Sequence, residues 1–279
     1  MKRFSKILVR ALVLVLMAVA CLSSVACKDI RNVKLTVSYY DDSASQQKEI
    51  ELSVDFYREF APETVDAMLS YIEDGYFDGC IFYKTETESN VLKVGDLKMV
   101  DGQIVKNDIK PTIDGEFENG KVKGSNLQNK KGSIGLWRSW TEHDGNFMTS
   151  TSTDTGRSTW FMPLTESPIA SYEGWFCIFA QIDLEADGAS DAFTAIDNLF
   201  TNENCYKEYV VYYTGEYDAN KADQDYGLEF NCVEAEEFDE NTTVFEAEGD
   251  QLVCYNKVTI RVAFVPDTDT VTALIKKAK

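Results

Sequence analysis

Apolar and polar residues alternate over residues 33–40 (VKLTVSYY) and again over 50–54, the period-two pattern of half-buried strands. The period then changes. Pro62-Glu63-Thr64 opens a helix, with proline in the first turn and an acid near the positive end of the dipole. Val65, Met68, Leu69 and Ile72 supply an i, i+3, i+4, i+7 stripe, and Gly75 ends it. Short apolar runs between turn residues follow at 80–83, 91–94, 133–137, 159–162 and 176–182, and so many short strands predict a sandwich or barrel. A second helix is expected from Ser190 as N-cap, with Phe193, Ile196 and Leu199 inward, and a last strand at 257–265.

Two stretches interrupt this pattern as insertions. Residues 141–156 are rich in Ser, Thr, Asp and Gly and read as a loop. Residues 202–250 mix acids with Tyr209, Tyr212, Tyr213, Tyr217 and Tyr226, a content that argues for a hairpin or small subdomain. Residues 266–279 are left as a C-terminal tail.

At 279 residues and 44% hydrophobic, the chain can bury a sizeable core. Residues 1–27 place Lys2, Arg3, Lys6 and Arg10 before or beside an apolar run that ends in small residues, the layout of a secretory signal too short for a permanent span. Its end, Ser24-Val25-Ala26-Cys27, resembles the lipobox of bacterial lipoproteins, which implies lipidation of Cys27 and an extracytoplasmic location on the cell membrane. Cys21 is the alternative, although it follows the apolar run without a polar spacer. Removing those four basic residues takes the formal net charge from −20 to −24, which disfavours nucleic acid as a partner.

Chemistry-bearing residues are sparse. Cys80 and Cys177 lie in apolar runs and read as buried small hydrophobes, while Cys205, Cys232 and Cys254 share a polar region where a single disulfide is conceivable. There is no CxxC pair to suggest a zinc or redox centre, no phosphate-binding glycine loop to suggest a nucleotide cofactor, and His143 is the sole histidine. No metal or cofactor is expected.

Six blocks in order carry a family resemblance: FAPETVDAMLSYIEDGYFDGCIFYK (60–84), VGD (94–96), GEF (115–117), KGSIGLWRS (131–139), STWFM (158–162) and IFAQI (178–182). Over residues 49–199 they resemble the cyclophilin-type peptidyl-prolyl cis-trans isomerases. The resemblance implies a mainly β fold, a closed eight-stranded antiparallel barrel capped by two α-helices, over residues 28–265, with 258–265 closing the barrel. It also implies cis-trans isomerisation of X-Pro bonds in proline-containing peptides or secreted proteins, against a barrier of about 18–20 kcal/mol.

Carried over by position, Lys84 stands where the family has its catalytic arginine and Lys93 where it has a glutamine. Val91, Leu136, Thr159, Phe161 and Phe176 fall at substrate-binding positions, with Ser171 or Tyr172 at that of a rim tryptophan. Trp137 replaces a small alanine. An ammonium lacks the planar fork of a guanidinium, so a weakened activity is expected. Two readings of the lysines stand: strand-end residues carrying their charge to water, or linings of the pocket that favour an anionic guest unless Glu86 and Glu88 neutralise them. Trp137 either fills the pocket or forms a stacking platform at its rim. The rival function is a catalytically inactive peptide- or protein-binding module, with 202–250 as its contact surface.

Overall fold

The computed structural model describes residues 30–86, 90–118, 127–138, 142–143, 146–147, 156–215, 220–221, 227–239, 255–268 and 270–279. Residues 1–29, with Cys21 and Cys27, lie outside them, as do Glu88, Tyr217, Tyr226 and most of 141–156. The strands are β1 (Ile30–Asp41), β2 (Gln46–Tyr57), β3 (Tyr83–Thr85), β4 (Val91–Val94), β5 (Leu97–Val100), β6 (Gln103–Lys106), β7 (Ser133–Leu136) and β8 (Glu142–His143). They continue as β9 (Asn146–Phe147), β10 (Trp160–Pro163), β11 (Cys177–Ile182), β12 (Tyr206–Thr214), β13 (Glu229–Glu234), β14 (Tyr255–Ala263) and β15 (Leu274–Ala278). Two helices accompany them, α1 (Pro62–Glu73) and α2 (Ala189–Leu199).

The expected mainly β fold with two helices is present. One eleven-stranded ladder runs β13-β12-β14-β3-β4-β10-β7-β11-β2-β1-β15. Its ends do not join as a ladder, yet β15 reaches the residues just before β3. The Gly79 and Phe82 amides donate to the Ile275 and Ala273 carbonyls, the Ile275 amide donates to Cys80, each at 2.8 Å, and Ile81 bridges Leu274. Eight strands from β3 round to β15 therefore encircle the core, and β14, β12 and β13 extend the sheet beyond them.

Two expectations are corrected. The stretch 266–279 is not a tail, because β15 is the strand that meets both β1 and residues 79–82. The run at 257–265 does not close the barrel. It forms β14, which pairs with β3 on one side and β12 on the other.

Alternation in the strands sorts side chains to two faces. Val33, Leu35, Val37, Leu52, Val54, Phe56, Leu92, Val94, Ile134 and Phe179 point into the main core. Both helices bury their stripes against it: Val65, Met68 and Ile72 from α1, Phe193, Ile196 and Leu199 from α2. In α1 the stripe shifts slightly, with Tyr71 buried and Leu69 half-buried. The expected Ser190 cap of α2 is replaced by Gly188 at φ 74, a left-handed conformation that glycine adopts without steric cost. α1 has no side-chain cap of its own. The buried Glu116 carboxylate substitutes, accepting the Glu63 and Thr64 amides at 3.0 and 2.8 Å.

The described part of the tyrosine-bearing stretch, β12 and β13, belongs to the main sheet. β12 sits between β13 and β14, and Tyr209 and Val211 help build a second core with Ile81, Tyr83, Ile260, Val262 and Phe264.

Candidate functional site

The register across β3, β4, β10, β7 and β11 decides which expected site residues share a face. Tyr83 lies opposite Lys93, Lys93 opposite Phe161, Phe161 opposite Gly135, and Gly135 opposite Ile178. Directly opposed residues point the same way, so Lys93, Phe161 and Ile178 share the outer face of the barrel. Val91, two residues before Lys93, joins them.

On that face Val91, Phe161, Tyr172, Phe176 and Ile178 form a separate buried cluster. Phe161 is fully buried. Half-buried Trp137 stacks on Phe176 with centroids 5.2 Å apart at 26°, and meets Phe161 edge-on at 5.7 Å. Tyr172 closes the group, 5.5 Å from Phe161 and 4.6 Å from Phe176. The local sequence explains the close packing: a Cβ at Gly135 would collide with the Phe161 ring, so only glycine lets that ring lie on the sheet. Thr159 is half-buried, and its carbonyl accepts the Trp137 amide at 2.8 Å, fixing the backbone beneath the indole.

Lys93 is buried, with its ammonium 3.5 Å from the centroid of the Trp137 ring, a cation–π contact. Lys84 is one residue past Tyr83 and therefore faces the other way, into the barrel. Its ammonium donates to Asp197 Oδ1 at 2.7 Å and lies 5.7 Å from the Phe200 ring. The last turn of α2 holds no basic residue, so Lys84 supplies the cation that this negative helix end and Asp197 both favour.

The expected pair of site lysines is thus divided between the two faces. Lys84 neither reaches water, as a strand-end residue would, nor stands beside Phe161, and its partner is Asp197 and not Glu86, which is exposed. Leu136 also leaves the expected pocket: it lies opposite Trp160, and both belong to the main core. Val91, Lys93, Trp137, Phe161 and Phe176 are brought together. Sequence reasoning missed two contributors. Asp197 carried no local signal, being 113 positions from Lys84. Arg138, buried, donates from Nε to the Trp175 carbonyl at 2.8 Å and lies 5.5 Å from the Phe176 ring. Its position after Trp137 in a block read for small residues hid it.

Next to the cluster, Tyr83 donates its hydroxyl to both Asp96 oxygens, at 2.9 and 3.1 Å. Burial pushes the Asp96 carboxyl above its ordinary range, partly offset by that hydrogen bond and by nearby Lys93 and Lys106. Among the described residues no group of three His, Cys, Asp or Glu side chains is placed to hold a metal ion.

Residues 43–211, more than half of the chain, match the family described as cyclophilin type peptidyl-prolyl cis-trans isomerase/CLD. The chain belongs to the cyclophilin family. No curated protein matches it. Among solved structures, a cyclophilin type peptidyl-prolyl cis-trans isomerase of Cryptosporidium parvum aligns at a TM-score of 0.40 and 17% identity, over 63% of this chain and 85% of that one. A structure of the Cryptosporidium parvum isomerase in the presence of the dipeptide Ala-Pro aligns at 0.39 and 15%, over 58% and 84%. A cyclophilin from Hirschia baltica aligns at 0.35 and 11%, over 58% and 70%.

Within this cyclophilin, a prolyl ring needs an open apolar platform, and amide rotation is speeded by a donor aimed at the prolyl nitrogen as resonance is lost. The aromatic platform exists, but its rings cover one another. Of the cations at the cluster, Lys93 faces the Trp137 indole and Arg138 lies 5.5 Å from the Phe176 ring.

Proposed function

We propose that this cyclophilin is a lipid-anchored, extracytoplasmic protein that acts on proline-containing segments of secreted proteins, with weakened isomerase activity. The observation that carries the weakening is the covering of Phe161 by Trp137, Tyr172 and Phe176. A proline can use that ring only after the indole moves, so part of the binding energy is diverted to opening the cluster and is lost to the transition state. Lys84, at the position of the family's arginine, acts in the same direction, since its ammonium is engaged with Asp197 inside the barrel and supplies no donor to the amide. The anchor rests on Cys27 behind its apolar run, a two-chain attachment being sufficient for stable membrane residence.

The second reading, a binding module without turnover, is favoured by the engagement of Lys84 with Asp197 and Phe200 inside the barrel. Exchange NMR on a short proline peptide separates the two. Line broadening between cis and trans signals, at protein concentrations comparable to the peptide, is the outcome expected for a slow isomerase. Binding shifts without exchange would select the binder. For the anchor, radiolabelled palmitate should enter the wild-type chain and not Cys27→Ser, and label retained in that variant would sink the assignment to Cys27.

A further inference from the structure

A cavity of about 300 Å³ opens beside the aromatic cluster. Leu127, Ile178 and Ala180 line its apolar side and Lys130, Ser133 and Gln181 its polar side. It lies on the same outer face as Phe161: Gln181 is opposed by Ser133 just as Ile178 is opposed by Gly135, and Ile178 belongs to both cavity wall and cluster. A register shift in β11 between Ile178 and Ala180 sets the polar half off from the aromatic half, the kind of re-aiming that bulges give next to binding sites.

Gln128, Lys130 and Gln181 carry donors on the polar side. Tyr57 donates its hydroxyl to Gln181 Oε1 at 3.3 Å, which leaves the amide nitrogen of Gln181 as a donor. Lys130 has no ion pair among the described residues. On adjoining segments, Glu166 pairs with Lys131 at 3.2 Å, Asp55 accepts from Asn32 at 3.0 Å, and Glu173 accepts from the Asn129 amide at 2.7 Å. The Ser133 hydroxyl is held by the Lys130 backbone. In a chain of formal net charge −20, a lysine at a cavity without an ion pair among the described residues is a local reversal of sign that discriminates among ligands by charge.

We infer that this cavity is a specificity subsite for an acidic side chain, Asp or Glu, in an extended peptide whose neighbouring proline lies on the aromatic cluster. The Lys130 ammonium and the Gln181 amide donate to the carboxylate, and Leu127 and Ile178 pack the methylenes. The inference deepens the proposed peptide-directed function and rests on it for the proline half alone.

A proline-free probe tests the subsite without testing turnover. N-acetyl-Ala-Glu-Ala-amide and its Gln counterpart are titrated into the full chain in detergent micelles, with the Gln181 side-chain amide followed by NMR. The Glu peptide should shift that resonance and bind about fivefold more tightly than the Gln peptide, the scale of a partly exposed ion pair. The preference should shrink with added salt, vanish in Lys130→Gln and persist in Lys131→Gln. Equal binding of the two peptides, a preference surviving Lys130→Gln, or a silent Gln181 would each overturn the subsite. None of these results bears on the isomerase assay.

Discussion

Lys84 and Asp197 meet at 2.7 Å across the end of the barrel, joining β3 to the last turn of α2 with a lysine side chain that is 7% exposed. The ion pair docks a helix and lies apart from the aromatic cluster. Asp197→Ala leaves the ammonium buried without its carboxylate, at a cost of about 2 kcal/mol, below the figure for a fully buried pair because Asp197 is 34% exposed. Lys84→Met removes the charge and keeps the stem, so its cost should stay under about 1 kcal/mol. Urea unfolding measures both. Residual isomerisation should be unchanged within about twofold in Lys84→Met, whereas a loss of roughly a hundredfold would restore Lys84 to the reacting amide.

Trp137→Ala should uncover the faces of Phe161 and Phe176 that the indole occupies. Truncating a half-buried indole costs about 2 kcal/mol of stability, less than a fully buried one. The same change frees Lys93 from its ring contact. Isomerisation of a proline peptide should rise despite the lower stability. A rate that falls in proportion to unfolding would show the indole to be a platform and not a plug.

Much of this arrangement was legible in the pattern of the chain, and the parts that were not share a cause. The helix at 62–73 announced itself through a proline, an acid and a full apolar stripe, all local signals. The strand at 91–94 is legible to the residue for the same reason. The strand at 274–278 escaped because Lys276 and Lys277 stand exposed in the middle of five residues, which resembles a charged tail until its partners across the barrel are known. The strand that carries Lys84 is legible in the sequence, and the face it takes is not. Its side is fixed by the Tyr83–Lys93 pairing, a long-range property with no trace in either segment alone. Trp137, by contrast, was recognisable as anomalous from size alone.

The four described cysteines are free thiols, so the single disulfide considered for Cys205, Cys232 and Cys254 does not join the first two. Desolvation by burial pushes Cys80, Cys177 and Cys232 up to about 12 and Cys205 up to about 11. A thiol raised in the folded state and ordinary in the unfolded one contributes stability below the unfolded pKa, near 8.5, and loses it as pH climbs toward the folded value. Stability should therefore decline from about pH 9 upward, followed by urea midpoints, and Cys177→Ala should flatten the decline. At neutral pH a thiol reagent should label these four positions only slowly until denaturant is added.

Asp41 gives the opposite limb. Hydrogen bonds from Lys48 and Ser43 hold its carboxyl down at about 2. A depressed carboxyl contributes stability above its unfolded pKa, near 3.9, and loses it as pH falls through 2. The β1–β2 hairpin should loosen over that window, with hydrogen exchange at the Ala44 amide, which also binds Asp41, as its reporter. In Lys48→Met the window should move toward ordinary carboxylate values.

Glu116 is the most exacting of these side chains. It is buried, and its two oxygens satisfy two of the amides that the start of α1 leaves without intrahelical partners. Glu116→Ala strands both donors in a dry interior and removes the anion at the positive helix end, so a loss of about 2–3 kcal/mol is expected. Glu116→Gln keeps one acceptor and puts an amide group against the second donor, so it should recover only part of that loss. The order wild type, Gln, Ala in urea midpoints is the outcome that carries the claim. Equal midpoints for the two variants would mean that charge and not acceptor geometry holds the helix start. Because α1 buries Val65, Met68 and Ile72 in the main core, the loss should appear as one cooperative transition and not as fraying of the helix alone.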